Sequence, residues 1–344
     1  MPYLRRSFLV RLGLLGLTTL GSALFPLHAY ALWLHDEQAI MGTSVRVELW
    51  HEDGVEGKAA IAAVMEDMRR IDRSMSPFIP SSELSRVNQR AASRPVAISQ
   101  ELFDLITRSL EVSKLTEGAF DITFSSVGYL YDYRRHIKPT EAEIRRALPA
   151  VNYRHLHLDR RHRTIRFGRP GMRIDLGGIA KGYAVDSGID LLKKRGITHA
   201  LVTAGGDSRI VGDRRGRPWM IGIRDPRRRD DMVAVLPLND TAVSTSGDYE
   251  RYFEADGVRY HHIINPKTGH SASEVRSATI IASDATTTDG LSTGVFVLGL
   301  EKGMALVESL SNVDAVIVDN QGQMHFSKGL RPAARNADSV TPAE

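Results

Sequence analysis

A pair of glycines in the stretch 174–182 has the chemistry of an anion site. Gly177 and Gly178 stand directly before a helical pattern, so backbone N–H groups at the helix start can face an anion with no Cβ in the way. Close packing of a helix is the alternative explanation of such a pair. The glycines alone therefore favour an anionic ligand only weakly.

A second stretch, residues 286–293, has the donors of a hard cation. Asp289 and Thr293 are spaced i and i+4, which places them one above the other on a helix face. A carboxylate with hydroxyl and carbonyl oxygens, in a sequence without cysteine, suits Mg²⁺ better than zinc. A helix cap is the alternative role for Asp and Thr at a helix start. The two stretches together predict a site for a phosphate-bearing cofactor and a divalent cation.

The first 31 residues have the pattern of an export signal. Arg5 and Arg6 precede an uncharged, leucine-rich run at residues 12–27, and an A-x-A pattern ends the segment at residues 29–31. This pattern predicts a twin-arginine signal peptide, residues 1–31, which is cleaved on export to the periplasm. A transmembrane anchor is the alternative, but the run is shorter than the roughly 20 residues that span a bilayer.

Composition narrows the classes of protein to which the chain can belong. The net charge is +4 and falls to +1 without the signal and its three arginines, which argues against a nucleic-acid-binding protein. Because an exported chain without cysteine has no disulfides, its stability must come from a hydrophobic core. Residues 32–327 lack linkers and repeats and are predicted to form one domain, followed by a disordered tail at residues 328–344.

Apolar periodicity predicts helices and strands in clusters, without strict alternation. An alternating pattern indicates a strand at residues 41–50, and a hairpin across residues 250–264 is predicted to turn at Asp256-Gly257. The predicted helices span residues 57–75, 99–116, 177–195, 285–298 and 302–310. Further strands are predicted at residues 200–203, 209–211, 219–224, 233–236, 242–244 and 278–282. Such clustering predicts an α+β fold with mixed or antiparallel sheets and packed helices, and not a doubly wound fold.

The ordered set of motifs resembles one family, the ApbE-type flavin transferases, or FAD:protein FMN transferases. The resemblance extends over residues 41–310 and implies a single ApbE-like domain related to the T-fold. The export signal narrows it toward the NosX-like branch. The motifs that carry the resemblance are Met41-Gly42-Thr43, Met75-Ser76-Pro77-Phe78 with residues 82–88, Gly118-Ala119-Phe120-Asp121-Ile122-Thr123, residues 175–186, Ala204-Gly205-Gly206-Asp207, residues 244–249, and residues 262–269.

The resemblance implies a Mg²⁺ site and an FAD site. The metal positions of the family fall on the main-chain oxygens of Gly178 and Ser292 and on the side chains of Asp289 and Thr293. The FAD-binding positions fall on Met41, Phe78, Ala119, Phe120, Asp121, Asp175, Lys181 and Ile263. Apolar surface suits a flavin ring, carboxylates suit the polar edges of the cofactor, and an ammonium suits the diphosphate.

The resemblance also implies a reaction. FMN passes from FAD to a Thr or Ser hydroxyl of an acceptor protein, AMP leaves, and the implied acceptor is a flavoprotein of a membrane electron-transfer system. His262 is the candidate base because imidazole titrates near neutral pH, and a histidine that only ties down the following turn is the alternative. Two other functions stay open: an FAD diphosphatase that admits water, and a non-catalytic FAD-binding protein.

Four other residues could bind a ligand or a metal, but structural roles are at least as good an interpretation of them. Asp207 follows two glycines and either stabilises a turn or contacts the ligand. His261 is expected to be structural, because adjacent residues of a strand face opposite ways. His155 and His157 alternate before Asp159 and indicate an exposed strand face rather than a metal pair.

The chain departs from the family pattern at two positions. Asn265 stands where Asp is common, and its side-chain oxygen can still cap a turn. Thr288 stands where Ala usually precedes the metal-binding Asp. The sequence therefore predicts an extra hydroxyl beside the metal.

Overall fold

The computed structural model describes residues 32–228 and 231–330. The predicted signal peptide and residues 331–344 of the predicted tail lie outside the described residues. The described strands are β1 (Leu32–Ile40), β2 (Thr43–His51), β3 (Val96–Ala97), β4 (Leu156–Asp159), β5 (Thr164–Phe167), β6 (Ala200–Ala204), β7 (Asp207–Val211), β8 (Trp219–Arg224), β9 (Met232–Leu238), β10 (Ala242–Gly247), β11 (Tyr252–Ala255), β12 (Val258–His261), β13 (Val275–Ala282), β14 (Asp314–Asp319) and β15 (Met324–Phe326). The described helices are α1 (Gly54–Met75), α2 (Glu83–Arg90), α3 (Gln100–Leu115), α4 (Ser125–Gly128), α5 (Glu141–Ala147), α6 (Ala180–Lys194) and α7 (Ala285–Ser309).

An eight-stranded sheet forms the centre of the fold, in the order β1-β2-β6-β7-β10-β13-β14-β15. All of its neighbouring strands pair antiparallel. Val45, Val47 and Leu49 of β2 are fully buried, as their alternation predicts. The helices α1, α6 and α7 pack on this sheet. The α+β class is confirmed, with antiparallel pairing throughout the described sheets.

The first strand, β1, is absent from the sequence prediction. It pairs with β2 over its whole length, from Leu32 opposite His51 to Ile40 opposite Thr43. Most of its residues are exposed or half-buried, because it lies at the sheet edge and has no buried stripe. The turn at residues 41–42 has positive φ angles of 55° and 71°, so β2 begins two residues later than predicted.

Polar caps set the starts of α1 and α3. Asp53 accepts hydrogen bonds from the backbone N–H groups of Val55 and Glu56, which starts α1 three residues before the prediction. Ser99 accepts one from Leu102 and starts α3, as the sequence predicts. Both helices therefore begin where a side chain satisfies an otherwise free N–H group.

The helix α7 contains a break at Gly299, whose φ of 79° and ψ of −175° are not helical. Two helices predicted at residues 285–298 and 302–310 match its two parts. It is the one described helix long and apolar enough to cross a bilayer, yet 56% of that apolar window is buried within the protein. Because it packs on β10 and β13, α7 is a core helix.

The predicted hairpin is present as β11 and β12, outside the central sheet. Asp256 and Gly257 have positive φ angles of 52° and 73°, the backbone that a two-residue hairpin turn requires. Phe253 stacks on Tyr260 across the hairpin, with ring centroids 5.3 Å apart, and Tyr133 packs against Phe253 from the loop after α4. These rings hold the hairpin against the body of the protein.

Candidate functional site

The site is built where α6 and α7 cross at very close range. A Cβ on Gly182 would lie 2.1 Å from the carbonyl oxygen of Ala285 and 2.7 Å from the Cβ of Asp289. Only glycine allows two helices to approach this closely. The crossing therefore brings the first turn of α6 directly against the first turns of α7.

Each of the two helices supplies a carboxylate to the start of the other. Asp186 of α6 accepts hydrogen bonds from the N–H groups of Ala285 and Thr286, both at 2.8 Å. Asp289 of α7 accepts one from the N–H of Gly182 at 2.9 Å. Sequence analysis predicts amide groups at the start of α6 that face an anion, and this amide faces the carboxylate of Asp289. The two predicted stretches thus form one site.

Lys181 lies between two buried carboxylates. Its Nζ is 2.6 Å from Asp207 and 3.5 Å from Asp289, and each acid is only 2% exposed. Burial and the charge of Asp207 raise the pKa of Asp289 to about 7, although Lys181 acts to lower it. Burial acts to lower the pKa of Lys181, but the two carboxylates outweigh it and raise that pKa. Asp207, which the sequence leaves between two roles, is an ion-pair partner here.

Three hydroxyl groups lie together at the turn of α7 that follows Asp289. The Ser246 hydroxyl lies 2.9 Å from that of Ser292 and 3.2 Å from that of Thr293. A Cβ on Gly178 would lie 3.1 Å from Oγ1 of Thr293, so the backbone of Gly178 is adjacent to that hydroxyl. The structure therefore brings together all four positions predicted for the metal.

This donor set fits a hard cation. One carboxylate, a threonine hydroxyl and main-chain oxygens are ligands that Mg²⁺ accepts. Asp207 and Asp289 share one ammonium, so a second cation would find excess negative charge. Within residues 32–228 and 231–330, no group of three or more His, Cys, Asp or Glu side chains could hold a metal. Mg²⁺ at these mixed oxygen donors stays a prediction.

His262 extends the base of the hairpin by one pair beyond β12. Its N–H donates to the carbonyl of Arg251 at 3.1 Å, so these two side chains share one face of the hairpin. Burial, followed by the charge of Arg251, lowers the pKa of His262 to about 3. Its Nδ1 is buried and has no hydrogen-bond partner among the described residues. The imidazole is therefore neutral at pH 7 and has a free ring nitrogen, but it titrates well below the near-neutral pH expected from the sequence and is a weaker base.

Arg251 is a site residue that the sequence analysis missed. Its charge adds to burial in lowering the pKa of His262, and it opposes burial at Asp175, whose pKa is raised. Its side chain is exposed and has no ion-pair or hydrogen-bond partner within the described part of the chain. The turn at Asp256-Gly257 contains the missed signal, because a two-residue turn there places residues 251 and 262 opposite each other.

The loop at residues 119–123 lies against the metal positions. Ala119 and Phe120 are buried, and a Cβ on Gly178 would lie 3.3 Å from the Phe120 ring. The carboxylate of Asp121 accepts hydrogen bonds from the N–H groups of Thr123 and Tyr153, both at 2.8 Å. Asp121 thus holds the loop in shape, and its part in FAD binding stays a prediction.

The other predicted FAD positions lie in different environments. Asp175 accepts a hydrogen bond from the N–H of Gly177 at 2.7 Å, which shapes the turn before α6. Met41 lies in the β1–β2 turn with a φ of 55° and is half-buried. Phe78 is 81% exposed in the loop between α1 and α2, whereas Ile263 is buried beside His262. Flavin contacts at these positions stay predictions.

Three neighbouring residues show what holds the site in place. His261 is 3% exposed, bonds the carbonyl of Ala272 at 2.6 Å and packs on Phe296, in agreement with its expected structural role. Asn265 caps the following turn through its side-chain oxygen, which accepts from Lys267 N–H at 2.9 Å. The hydroxyl of Thr288 bonds that of Ser244 at 2.7 Å. Thr288 therefore ties α7 to β10, and an effect of its hydroxyl on a metal stays a prediction.

Known proteins resemble this chain over most of its length. The family model described as ApbE family matches residues 41–317. The FAD:protein FMN transferase of Vibrio cholerae serotype O1 is 35% identical over 286 residues, which cover 80% of this chain and 84% of that protein. The protein of the same name from Treponema pallidum is 33% identical over 321 residues, which cover 88% and 89% of the two chains.

Solved structures show the same relationship. The ApbE protein of Thermotoga maritima has a TM-score of 0.80 and 36% identity, over 87% of this chain and 98% of that one. The flavin transferase ApbE of Vibrio cholerae has a TM-score of 0.78 and 31% identity over the same shares. Family match, sequence identity and fold thus agree over most of the chain, and the chain belongs to the ApbE family.

Proposed function

We propose that this protein transfers FMN from FAD to a Thr or Ser hydroxyl of an acceptor protein and releases AMP, with Mg²⁺ as the metal. The observation that carries the proposal is the cluster of Lys181 with the buried Asp207 and Asp289, beside the hydroxyls of α7. Similar proteins named FAD:protein FMN transferase and flavin transferase support the same activity. A pure FAD-binding protein would not need this arrangement of cation-binding oxygens and a neutral histidine.

The charges of the site suit a diphosphate. Lys181 is half-buried and charged, and Arg251 carries a second positive charge near it. The side chains of Asp289 and Thr293 and the backbone oxygens of Gly178 and Ser292 would hold Mg²⁺. When bound, this ion supplies neutralisation of the negative charge on the phosphate oxygens. Fixed positive charge at the point where negative charge develops is the main means of accelerating phosphoryl-type transfer.

In the proposed reaction, the acceptor hydroxyl oxygen forms a bond to the phosphorus of the FMN half of FAD. The P–O bond to the AMP half breaks, and AMP leaves with the bonding electron pair. His262 takes the hydroxyl proton, since its imidazole is neutral and Nδ1 has no partner among the described residues. Arg251, on the same hairpin face, limits how strongly that proton is held and so favours its later release.

Intact-protein mass spectrometry tests the proposal. The chain is incubated with FAD, Mg²⁺ and a flavin-domain acceptor, and one FMN adduct on a Thr or Ser is the expected product. Replacing Asp289→Asn is expected to slow transfer at least about a hundredfold, because a metal ligand supplies several kcal/mol to such a step. The matched control is Asp190→Asn on the exposed face of α6, which is expected to act like the wild type.

The outcomes separate the alternatives. FMN and AMP that accumulate without an adduct would show a diphosphatase, in which water takes the place of the acceptor hydroxyl. FAD that binds and stays intact with several acceptors would support the non-catalytic alternative. Transfer that is independent of both Mg²⁺ and Asp289 would remove the metal from the mechanism.

The proposed place of action is the periplasm, with a membrane-bound electron-transfer flavoprotein as acceptor. The support is the sequence of residues 1–31, in which Arg5 and Arg6 precede the apolar run. We expect the double change Arg5→Lys and Arg6→Lys to keep the chain in the cytoplasm, because a twin-arginine signal needs both guanidinium groups. Cell fractionation measures this, and normal export of the variant would contradict the twin-arginine assignment.

A further inference from the structure

Seven exposed arginines lie on the β4–β5 hairpin and the segments next to it, and none of them is among the residues of the proposed reaction. We name this region the arginine surface. Its members are Arg90, Arg94, Arg160, Arg161, Arg163, Arg166 and Arg169. The sequence analysis identified the β4 part only as an exposed strand face.

Backbone contacts join the separate segments into one surface. The N–H of Phe167 donates to the carbonyl of Ala91 at 2.8 Å, which places the end of α2 beside β5. The N–H of Ile98 donates to the carbonyl of Arg163 at 3.0 Å. A shallow cavity of about 440 Å³ lies between them and is lined by Ala92, His157, Arg166, Phe167, Gly168, Arg169 and Pro170.

The positive charge of this surface is not balanced locally. Residues 84–98 and 160–174 contain no Asp or Glu. Asp159, at the end of β4, is bound to His162 at 2.7 Å. None of the seven arginines has an ion-pair partner among the described residues, whereas Arg70 and Arg227 elsewhere are paired with Glu101 and Asp248. Because the chain without its first 31 residues carries a net charge of only +1, this concentration is local.

The composition of the surface favours lipid headgroups over a protein partner. The exposed large apolar side chains of the described residues all lie outside it, for example at Phe78, Met220 and Met232. Protein interfaces usually have an apolar or aromatic centre, which is missing here. Anionic lipids attract arginines by charge alone. We propose that the arginine surface binds the phosphodiester headgroups of anionic phospholipids and holds the protein against a membrane.

Vesicle binding of the whole chain tests this proposal. Vesicles of phosphatidylcholine alone and with 30% phosphatidylglycerol (about the share of anionic lipid that gives a clear surface potential) are sedimented at low salt. The test variant carries Arg160→Gln, Arg161→Gln and Arg166→Gln, and it leaves Arg163 unchanged because that residue has a positive φ. The control variant carries Lys193→Gln, Lys194→Gln and Arg195→Gln, which removes the same charge from the end of α6. The apolar run near the N-terminus is the same in all three proteins.

The expected result is a roughly hundredfold weaker binding of the test variant to anionic vesicles, with little change in the control variant. High salt should remove the difference. Thermal unfolding and FAD binding should match the wild type in both variants, which separates this proposal from the proposed reaction. Equal losses in the two variants would show an effect of net charge and overturn it. Binding to duplex DNA or acidic proteins without a preference for anionic vesicles would overturn it as well.

Discussion

At the scale of single residues, Lys181 between Asp207 and Asp289 explains how one site can attract both a cation and an anion. The ammonium is held charged by two buried carboxyl groups, and above the raised pKa of Asp289, about 7, these carry one negative charge more than it balances. Metal ions and phosphates both need such fixed, buried charges. Arg251 completes the set because no described carboxylate neutralises it.

Replacing Arg251→Gln tests that role. We expect FAD to bind about ten to a hundred times more weakly, since a charged hydrogen bond to phosphate contributes roughly 1.5–3 kcal/mol. Riboflavin, which has no phosphate, should bind as before. Isothermal titration with both ligands measures the two affinities.

The control for this prediction lies on the other face of the same hairpin. Arg259 is paired with Glu254 at 2.8 Å, so Arg259→Gln removes an equal charge without touching the His262 face. Its FAD affinity should stay close to that of the wild type. If Arg251→Gln weakened riboflavin as much as FAD, the arginine would be supporting the hairpin rather than the diphosphate.

Sequence spacing predicted some residues of the site. The others lie in the site because of the way the strands pair. Asp289 and Thr293 share a helix face, so local periodicity is enough to join them. Asp207 reaches Lys181 only because β7 lies between β6 and β10 in the central sheet. Arg251 depends on the hairpin register. Contacts of this kind depend on which strands become neighbours, and the motifs alone do not specify that.

At the scale of elements, the crossing of α6 and α7 positions the site. We expect Gly182→Ala to destabilise the protein by about 3 kcal/mol, because the new methyl group meets backbone and not a flexible side chain. Chemical denaturation measures this change. Gly54→Ala at the start of α1 is the control, since a Cβ there meets no atom within 4 Å. A Gly182→Ala protein as stable as the wild type would mean that the helices can separate without cost.

The elements that begin at a helix cap or contain a characteristic turn could be predicted from the sequence. The cap at Ser99 marks the start of a helix, and the turn at Asp256-Gly257 marks the reversal of a hairpin. Each signal lies within a few residues. The edge strand β1 has no such signal, because its partner β2 defines it. The helices α2 and α5 were also missed, since they are only 8 and 7 residues long and so offer about two turns of pattern each.

At the scale of the whole molecule, the buried imidazole of His262 links stability to pH. Its pKa is lowered to about 3 in the folded protein and is about 6.5 in the unfolded chain. The neutral form therefore stabilises the fold fully above about pH 6.5, and this contribution is lost progressively as the pH falls toward 3. Between pH 7 and pH 5 the loss should be roughly 1–2 kcal/mol.

Urea unfolding of the wild type and of His262→Gln at several pH values measures this link. Asp289 has the opposite effect, because its raised pKa of about 7 stabilises the fold as the pH falls. Both proteins contain Asp289, so its contribution cancels when their free energies of unfolding are subtracted. We expect His262→Gln to gain on the wild type as the pH drops from 7 to 5, and parallel curves would contradict the burial of a neutral imidazole.

The hydrogen bond from the Gly182 N–H to Asp289 makes one carboxylate serve two purposes. The carboxylate that we propose as a metal ligand also completes the first turn of α6. A substitution at this position therefore changes both the proposed metal site and the helix start. An alanine there would remove a ligand and leave a buried amide unsatisfied, and its inactivity would have two explanations. Asparagine keeps an oxygen for that amide. We therefore expect Asp289 to accept fewer substitutions than a residue that served only as a metal ligand.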